Sequence, residues 1–249
     1  TDLDVGITGS VEAQIEKEGA TTLPAKRLVS IIRELPASEV EVSVDAKNHA
    51  SIRSGPSFFK IIGLSDAEFP PLPDFEGAKV FKIPQATLRD GLKKTSYAIS
   101  TDETRYVLNG VHFTPEDGGM LIATDGRRLA GAPARVPGRS LTLPTTAVHV
   151  LVHPDFSARD AAVLQAEDDK STHLQIRSEP HTLIAKTIEG RYPNYRNVIP
   201  GHLQHSVTIP ETHLAAVIAW LRTLKGKSNS VRLTWEKPDH VTLTHRDYD

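Results

Sequence analysis

The chain has 249 residues, a formal net charge of −2 and no cysteine, which excludes disulfides, zinc–thiolate sites and cysteine nucleophiles. Its hydrophobic fraction of 39% and charged fraction of 24% are typical of a folded globular protein and exclude a disordered one. No stretch approaches the roughly 18–20 apolar residues of a membrane helix, and no secretory leader opens the chain. We therefore expect a cytoplasmic protein with no membrane partner.

One short phrase returns four times: an apolar residue, a proline, and then an apolar, helix-like run. The prolines are Pro24, Pro84, Pro144 and Pro210, so the steps between them are 60, 60 and 66 residues. Proline is favoured at the first position of a helix, where its missing N–H costs nothing. The spacing predicts one repeated structural unit, with helices over 24–35, 84–95, 144–153 and 210–227.

Alternating apolar and polar residues between these helices predict antiparallel strands joined by tight turns. The predicted strands are 40–45, 50–53, 58–62, 106–108, 111–113, 120–123, 128–130, 161–165, 172–177, 181–185, 231–235 and 241–244. The pattern indicates an α+β fold made of repeated domains. It predicts a partial first domain over 1–77, a complete second domain over 78–202 and the start of a third over 203–249.

Charge is unevenly distributed along the chain. The four predicted helices hold nine basic and three acidic residues, a net charge of +6, and the remaining 20 basic and 28 acidic residues give −8. Basic helices on an acidic body favour one surface that faces a polyanion. The alternative is that these charges are ordinary solvated helix faces.

Three long phrases carry a resemblance to a known family. They cover 95–110, 123–130 and 189–200, with shorter matches at 1–3, 22–26 and 68–70. Their sequence resembles that of the bacterial sliding clamp, the beta subunit of DNA polymerase III, over nearly the whole chain and in the same order. The resemblance implies the DNA-clamp fold, an α+β arrangement in which repeated domains of antiparallel sheets carry helices that line one face.

The function that this resemblance implies is non-catalytic. Two protomers would close into a homodimer ring around double-stranded DNA, placed there by a clamp loader. The ring would act as a processivity factor that tethers the replicative DNA polymerase and other proteins with a clamp-binding motif. The resemblance implies no cofactor and no metal.

The resemblance also implies a groove for a partner peptide on the second domain. Its residues would be Thr124, Gly126, Arg127, Arg128, Leu129, Pro193 and Val198. Apolar walls beside a glycine that exposes its backbone suit a short peptide with apolar anchors. Arg127 stands where the family commonly has histidine, which changes the polarity of the groove. A plain hairpin turn is the alternative interpretation of Thr124-Asp125-Gly126.

For DNA, the resemblance implies Lys26 and Tyr106. The placement of charge adds Arg33, Arg89, Lys93, Lys94, Arg105, Arg196 and Arg222. We expect these side chains to contact phosphates, since a ring that slides must not read bases.

Two other kinds of function compete with a clamp. His149 and His153 are four residues apart, a spacing that puts both on one helix face and can bind zinc. The metalloprotease pattern with its intervening glutamate is missing and no third ligand is evident, so we expect no metal site. The second competitor is a peptide-binding scaffold that does not encircle DNA.

Overall fold

A computed structural model describes residues 3–36, 39–73, 75, 78–136, 138–157, 161–166, 172–223, 231–237 and 240–245. The chain divides into two compact units, Thr1–Pro193 and Asn194–Asp249. Four α-helices occur among the described residues, close to the four predicted positions. They are α1 (Ala25–Glu34), α2 (Gln85–Thr95), α3 (Thr145–Val152) and α4 (Glu211–Leu221).

The four repeated prolines lie one position before the predicted one. Each is the residue that caps the helix N-terminus, with an extended backbone, and each helix begins at the next residue. Pro84 and Pro144 are also the last residues of strands. The repeated phrase is therefore a junction between an extended segment and a helix, and the extended ψ at proline ends the strand before the helix turns begin.

Fourteen strands are described. They are β1 (Val5–Gly9), β2 (Glu41–Val44), β3 (His49–Ser54), β4 (Ser57–Ile62), β5 (Lys79–Pro84), β6 (Gly110–Thr114), β7 (Met120–Thr124), β8 (Leu129–Pro133), β9 (Leu141–Pro144), β10 (Ala161–Ala166), β11 (His173–Ser178), β12 (His181–Lys186), β13 (Val231–Lys237) and β14 (His240–His245). Every pairing between them is antiparallel, which confirms the α+β prediction.

These strands form four sheets. In the first unit the orders are β1-β12-β11-β10-β5, β8-β7-β6-β9 and β2-β3-β4, and in the second unit β13 pairs with β14. Strands β5 and β9 were missed by the sequence prediction, because their apolar residues were assigned to the helix starts that follow. Strand β1 pairs with β12, so residues from the start of the chain extend the sheet built by residues 79–186.

Two predictions of secondary structure are wrong. The segment 106–108, predicted as a strand, is the end of a 3-10 helix over Glu103–Leu108. The side chain of Asp102 accepts a hydrogen bond from the backbone N–H of Thr104 and caps that helix, which removes these residues from any sheet. The fourth helix ends at Leu221 and a turn follows, whereas 224–227 lie outside the described residues.

The main hydrophobic core lies where α2 and α3 cover the sheets of the first unit. Its fully buried side chains come from α2, β7, β9, β11 and β12, and they include Leu92, Leu121, Leu143, Leu174 and Leu183. Helix α1, by contrast, has no buried residue. Among the described residues, no helix has the length and apolar character needed to cross a membrane.

Candidate peptide groove and DNA-facing residues

The turn between β7 and β8 holds five of the predicted groove residues. Thr124 Oγ1 donates to the carbonyl of Arg128 at 2.7 Å and accepts from the N–H of Gly126 at 3.0 Å. Gly126 has a φ of +85°, a left-handed conformation that favours glycine. The segment is a hairpin turn, as the alternative interpretation proposed, and its hydrogen bonds fix the direction of the side chains around it.

Asp125 organises the same turn from its centre. Its Oδ1 accepts from the backbone N–H groups of Arg127 and Arg128 at 2.9 and 3.0 Å. These hydrogen bonds, first that from Arg127, hold the pKa of the Asp125 carboxyl below its ordinary value. The carboxylate is therefore ionised at neutral pH, and it anchors the backbone of two arginines whose side chains are exposed.

The Arg128 side chain is held on two sides. Its Nε donates to Asp125 Oδ2 at 3.0 Å, and its guanidinium carbon lies 5.6 Å from the centre of the Tyr97 ring. Sequence reasoning did not select Tyr97, although this tyrosine lies in one of the phrases that carry the resemblance. Its exposed ring, directly after a helix, is the signal that could have identified it, since exposed aromatic rings attract cations.

The remaining predicted groove residues are placed less directly. Leu129 is partly buried, and its Cα is paired with that of Thr124 across β7 and β8. Pro193 is exposed and closes the first compact unit. Val198 belongs to the other unit, in a 3-10 helix over Tyr195–Val198, so its membership of the groove stays a prediction.

Two rings that the sequence analysis did not select lie behind the turn. His112 and Tyr192 stack with their centroids 4.3 Å apart and their planes 7° apart. His112 Nδ1 lies 3.0 Å from Thr142 Oγ1. Burial lowers the pKa of His112 to about 4 and raises the pKa of Tyr192 to about 12, so both rings are neutral near pH 7.

The 3-10 helix over Glu103–Leu108 contacts two glycine turns. A Cβ added at Gly126 would lie 2.8 Å from Arg105 Nη1, so the Arg105 side chain rests on the groove turn. A Cβ added at Gly190 would lie 2.9 Å from Val107 Cγ1 and 3.3 Å from the Tyr106 hydroxyl. Two residues predicted to contact DNA therefore lie against segments that carry predicted groove residues.

The other predicted DNA residues of the first unit lie on helices. Lys26 and Arg33 are exposed on α1, and Lys93 and Lys94 are exposed near the end of α2. Lys94 forms an ion pair with Asp90 one turn earlier, with Nζ and Oδ2 2.7 Å apart. Arg89, also on α2, is partly buried, and its buried Nε has no hydrogen-bond partner.

Arg196 and Arg222 belong to the second compact unit. Arg196 is exposed, and its guanidinium carbon lies 4.9 Å from the centre of the Tyr195 ring. Arg222 is exposed at the C-terminal cap of α4. Their role towards DNA stays a prediction.

The histidine pair does not have the geometry that its spacing predicted. Helix α3 ends at Val152, and His153 has an extended backbone, so His149 and His153 do not lie on one helix face. His153 Nδ1 instead lies 3.5 Å from Asp155 Oδ2. Over the described part of the chain, no group of three or more His, Asp or Glu side chains could hold a metal ion.

Comparison with known proteins identifies the family. Residues 1–73 match the family model of the DNA polymerase III beta subunit, N-terminal domain, and residues 82–194 match that of its central domain. A crystal structure of a sliding clamp (DNA polymerase III subunit beta) from Bartonella birtlesii, bound to griselimycin, is 30% identical with a TM-score of 0.83. The match covers 98% of this chain and 70% of that one. The chain belongs to the beta sliding clamp family.

Other clamps match the chain over similar lengths. The C. crescentus beta sliding clamp is 30% identical, with a TM-score of 0.80 and coverage of 99% of this chain and 68% of that one. The curated clamp of Synechocystis sp. is 32% identical over 95% of this chain and 66% of its own length. For the clamp of Chlamydia trachomatis the identity is 29% and the shares are 98% and 59%. The chain thus spans about three fifths to two thirds of its curated relatives.

Proposed function

We propose that this chain serves as part of a DNA sliding clamp, a non-catalytic processivity factor that encircles duplex DNA in the cytoplasm. The observation that carries this proposal is its likeness to sliding clamps in both sequence and fold over nearly its whole length. The full-length protein would form a homodimer ring, be opened by a clamp loader, and tether the replicative polymerase.

The distribution of charge supports the DNA part of this proposal. The chain as a whole is slightly acidic, yet α1 carries Lys26 and Arg33 and α2 carries Lys93 and Lys94, all exposed. Exposed Lys and Arg side chains attract a phosphate backbone from any sequence. That is the kind of contact a sliding ring requires, since phosphate contacts carry no sequence information.

The hairpin turn of β7 and β8 supports the peptide part. It combines an ordered backbone, the partly buried side chain of Leu129 and the held guanidinium of Arg128. We propose that Thr124, Gly126, Arg127, Arg128, Leu129, Pro193 and Val198 receive a partner peptide through apolar anchors. Arg127 would favour acidic residues beside those anchors.

A test separates a clamp from a peptide-binding scaffold that does not encircle DNA. The full-length protein is loaded on a nicked circular plasmid by its clamp loader and ATP, and bound protein is counted after gel filtration in high salt. A ring stays on the closed circle, because it is held by topology, and it is lost when the plasmid is cut to a linear form. Equal retention on circular and linear DNA, or none on either, would reject encirclement and leave the scaffold.

A further inference from the structure

The stacked rings behind the groove turn occupy the second face of the four-stranded sheet. Strand β6 alternates, so Val111 and Phe113 are buried in the main core while His112 between them lies on the opposite face. The register places His112 between Ile122 on β7 and Thr142 on β9. An imidazole in the middle of a sheet face needs both a polar partner and a cover.

Both requirements are met. The Thr142 hydroxyl lies 3.0 Å from His112 Nδ1, and the Tyr192 ring covers the imidazole in a nearly parallel stack. Tyr192 itself is only 8% exposed. Offset parallel stacking fixes the plane of each ring and is worth more than the burial of area alone.

Tyr192 connects this stack to the groove in two ways. It directly precedes Pro193, one of the groove residues. Its hydroxyl also lies near the backbone of Thr124, at the start of the hairpin turn, although the two groups do not reach hydrogen-bond geometry. A change in the position of the Tyr192 ring would therefore move one groove residue and loosen the packing behind another.

We propose that His112 is a positioning residue of the peptide groove, acting through Tyr192 to hold Pro193 and Thr124 in place. This inference rests on the proposed peptide-binding function. His112 touches no peptide in this arrangement. Its flat ring sets the position of Tyr192, and Thr142 sets the orientation of that ring.

The experiment compares side chains that fill similar space with and without a ring. In the full-length protein, His112→Phe keeps a flat ring that can stack, whereas His112→Leu fills the pocket without one. Each variant is titrated with a fluorescein-labelled peptide of the C-terminal residues of the replicative polymerase from the same organism. Ile176→Ala, a buried truncation in the five-stranded sheet, is the control for general destabilisation.

We expect His112→Leu to weaken peptide binding roughly 3- to 10-fold, the range set by one aromatic stacking interaction. His112→Phe should stay within about twofold of wild type, and Ile176→Ala should bind as wild type does while melting at a lower temperature. Tyr192→Leu should reproduce His112→Leu, and the double variant should lose no more than either single one, because the two rings act as a unit.

The outcomes distinguish the inference from the function beneath it. A wild-type protein that does not bind the peptide overturns the groove and the positioning role together. A wild-type protein that binds, with equal affinity in folded His112→Leu, overturns only the positioning role. Equal weakening by His112→Phe, His112→Leu and Ile176→Ala would also overturn it, since that pattern reports stability alone.

Should His112→Leu fail to fold, Thr142→Val replaces it in the same titration. This variant keeps both rings and removes only the hydroxyl at His112 Nδ1. We expect a weakening of about 2- to 3-fold, less than that expected for loss of the ring. Unchanged affinity in folded Thr142→Val would count against the role of His112.

Discussion

Arg105 rests on Gly126, so closely that a Cβ added to the glycine would lie 2.8 Å from the guanidinium Nη1. The first residue was predicted to contact DNA and the second to line the peptide groove. Their contact joins the 3-10 helix over Glu103–Leu108 to the turn that carries Arg128. Under the proposed function, the groove turn and this DNA-facing helix share a boundary, and a change at that boundary can affect both.

Gly126→Ala tests this boundary. The left-handed φ of +85° makes alanine strained by about 1 kcal/mol, and the added methyl group must also displace Arg105. We expect lower thermal stability and weaker binding of the polymerase-tail peptide. Gly55→Ala is the matched control, because Gly55 also has a positive φ but faces open space.

In the control we expect a similar loss of stability with unchanged peptide affinity. Adding Arg105→Ala to Gly126→Ala should restore part of the stability, because the methyl group then has room. Calorimetry and the peptide titration, run on all four proteins, measure both effects. Identical behaviour of the Gly126 and Gly55 variants would show that the Arg105 contact has no consequence.

Leu129→Ala should weaken partner binding without affecting DNA. Truncating a wall that receives an apolar anchor costs on the order of 1–3 kcal/mol, which corresponds to a roughly 5- to 150-fold loss of peptide affinity. The measurement is a fluorescence titration of the labelled polymerase-tail peptide, with circular dichroism to verify folding. Leu141→Ala is the control, since Leu141 is also partly buried but lies on β9, away from the turn.

Retention on circular DNA should be the same in wild type and in both leucine variants. Equal peptide affinity in well-folded Leu129→Ala and wild type would remove Leu129 from the groove.

Lys93→Glu combined with Lys94→Glu should weaken retention on DNA. Both lysines are exposed on α2, so the reversal should cost little stability. The logarithm of affinity should also depend less steeply on the logarithm of salt concentration, by about 0.9 for each phosphate that is no longer neutralised. Because Lys94 already pairs with Asp90, we expect the change at Lys93 to contribute more. The measurement is clamp retention on a nicked plasmid over a series of salt concentrations.

The charge-matched control is Lys47→Glu with Lys186→Glu, two exposed lysines away from the helices. If this control lowers retention as much as the α2 variant does, the effect comes from net charge rather than from a DNA-facing surface.

The stability of the protein should fall as the pH decreases from about 6.5 towards 4, in part because of His112. Burial lowers the pKa of this imidazole from 6.5 to about 4 in the folded protein, with an opposing effect of Glu116. In that range the unfolded chain binds the proton and the folded one does not, so protonation favours unfolding. The contribution of His112 is up to about 2 kcal/mol between roughly pH 7 and pH 5.

Urea denaturation of wild type and of His112→Phe at these two pH values isolates this contribution. The phenylalanine variant lacks the titrating group, so its free energy of unfolding should decrease less between the two conditions. An equal decrease in both proteins would show that His112 is protonated in the folded state as readily as in the unfolded one.

Much of the architecture was predictable from local signals. Four prolines at near-regular intervals predicted the four helices to within two residues at their N-termini, and strict alternation predicted strands such as β3 and β4. The family could also be predicted, because long phrases such as 95–110 and 189–200 are specific to it. The errors came from local competition, as at Glu103–Leu108, where the Asp102 cap favours a 3-10 helix over a strand.

The sequence by itself determined the repeated helices, the antiparallel strands and the family, because these depend on residue order and short-range patterns. Only the tertiary structure placed Arg105 on Gly126 and stacked His112 on Tyr192. The second pair is eighty residues apart in the chain, and no periodicity relates its members. Their contact depends on how the segment that ends at Pro193 covers one face of a sheet, which packing decides and local sequence does not.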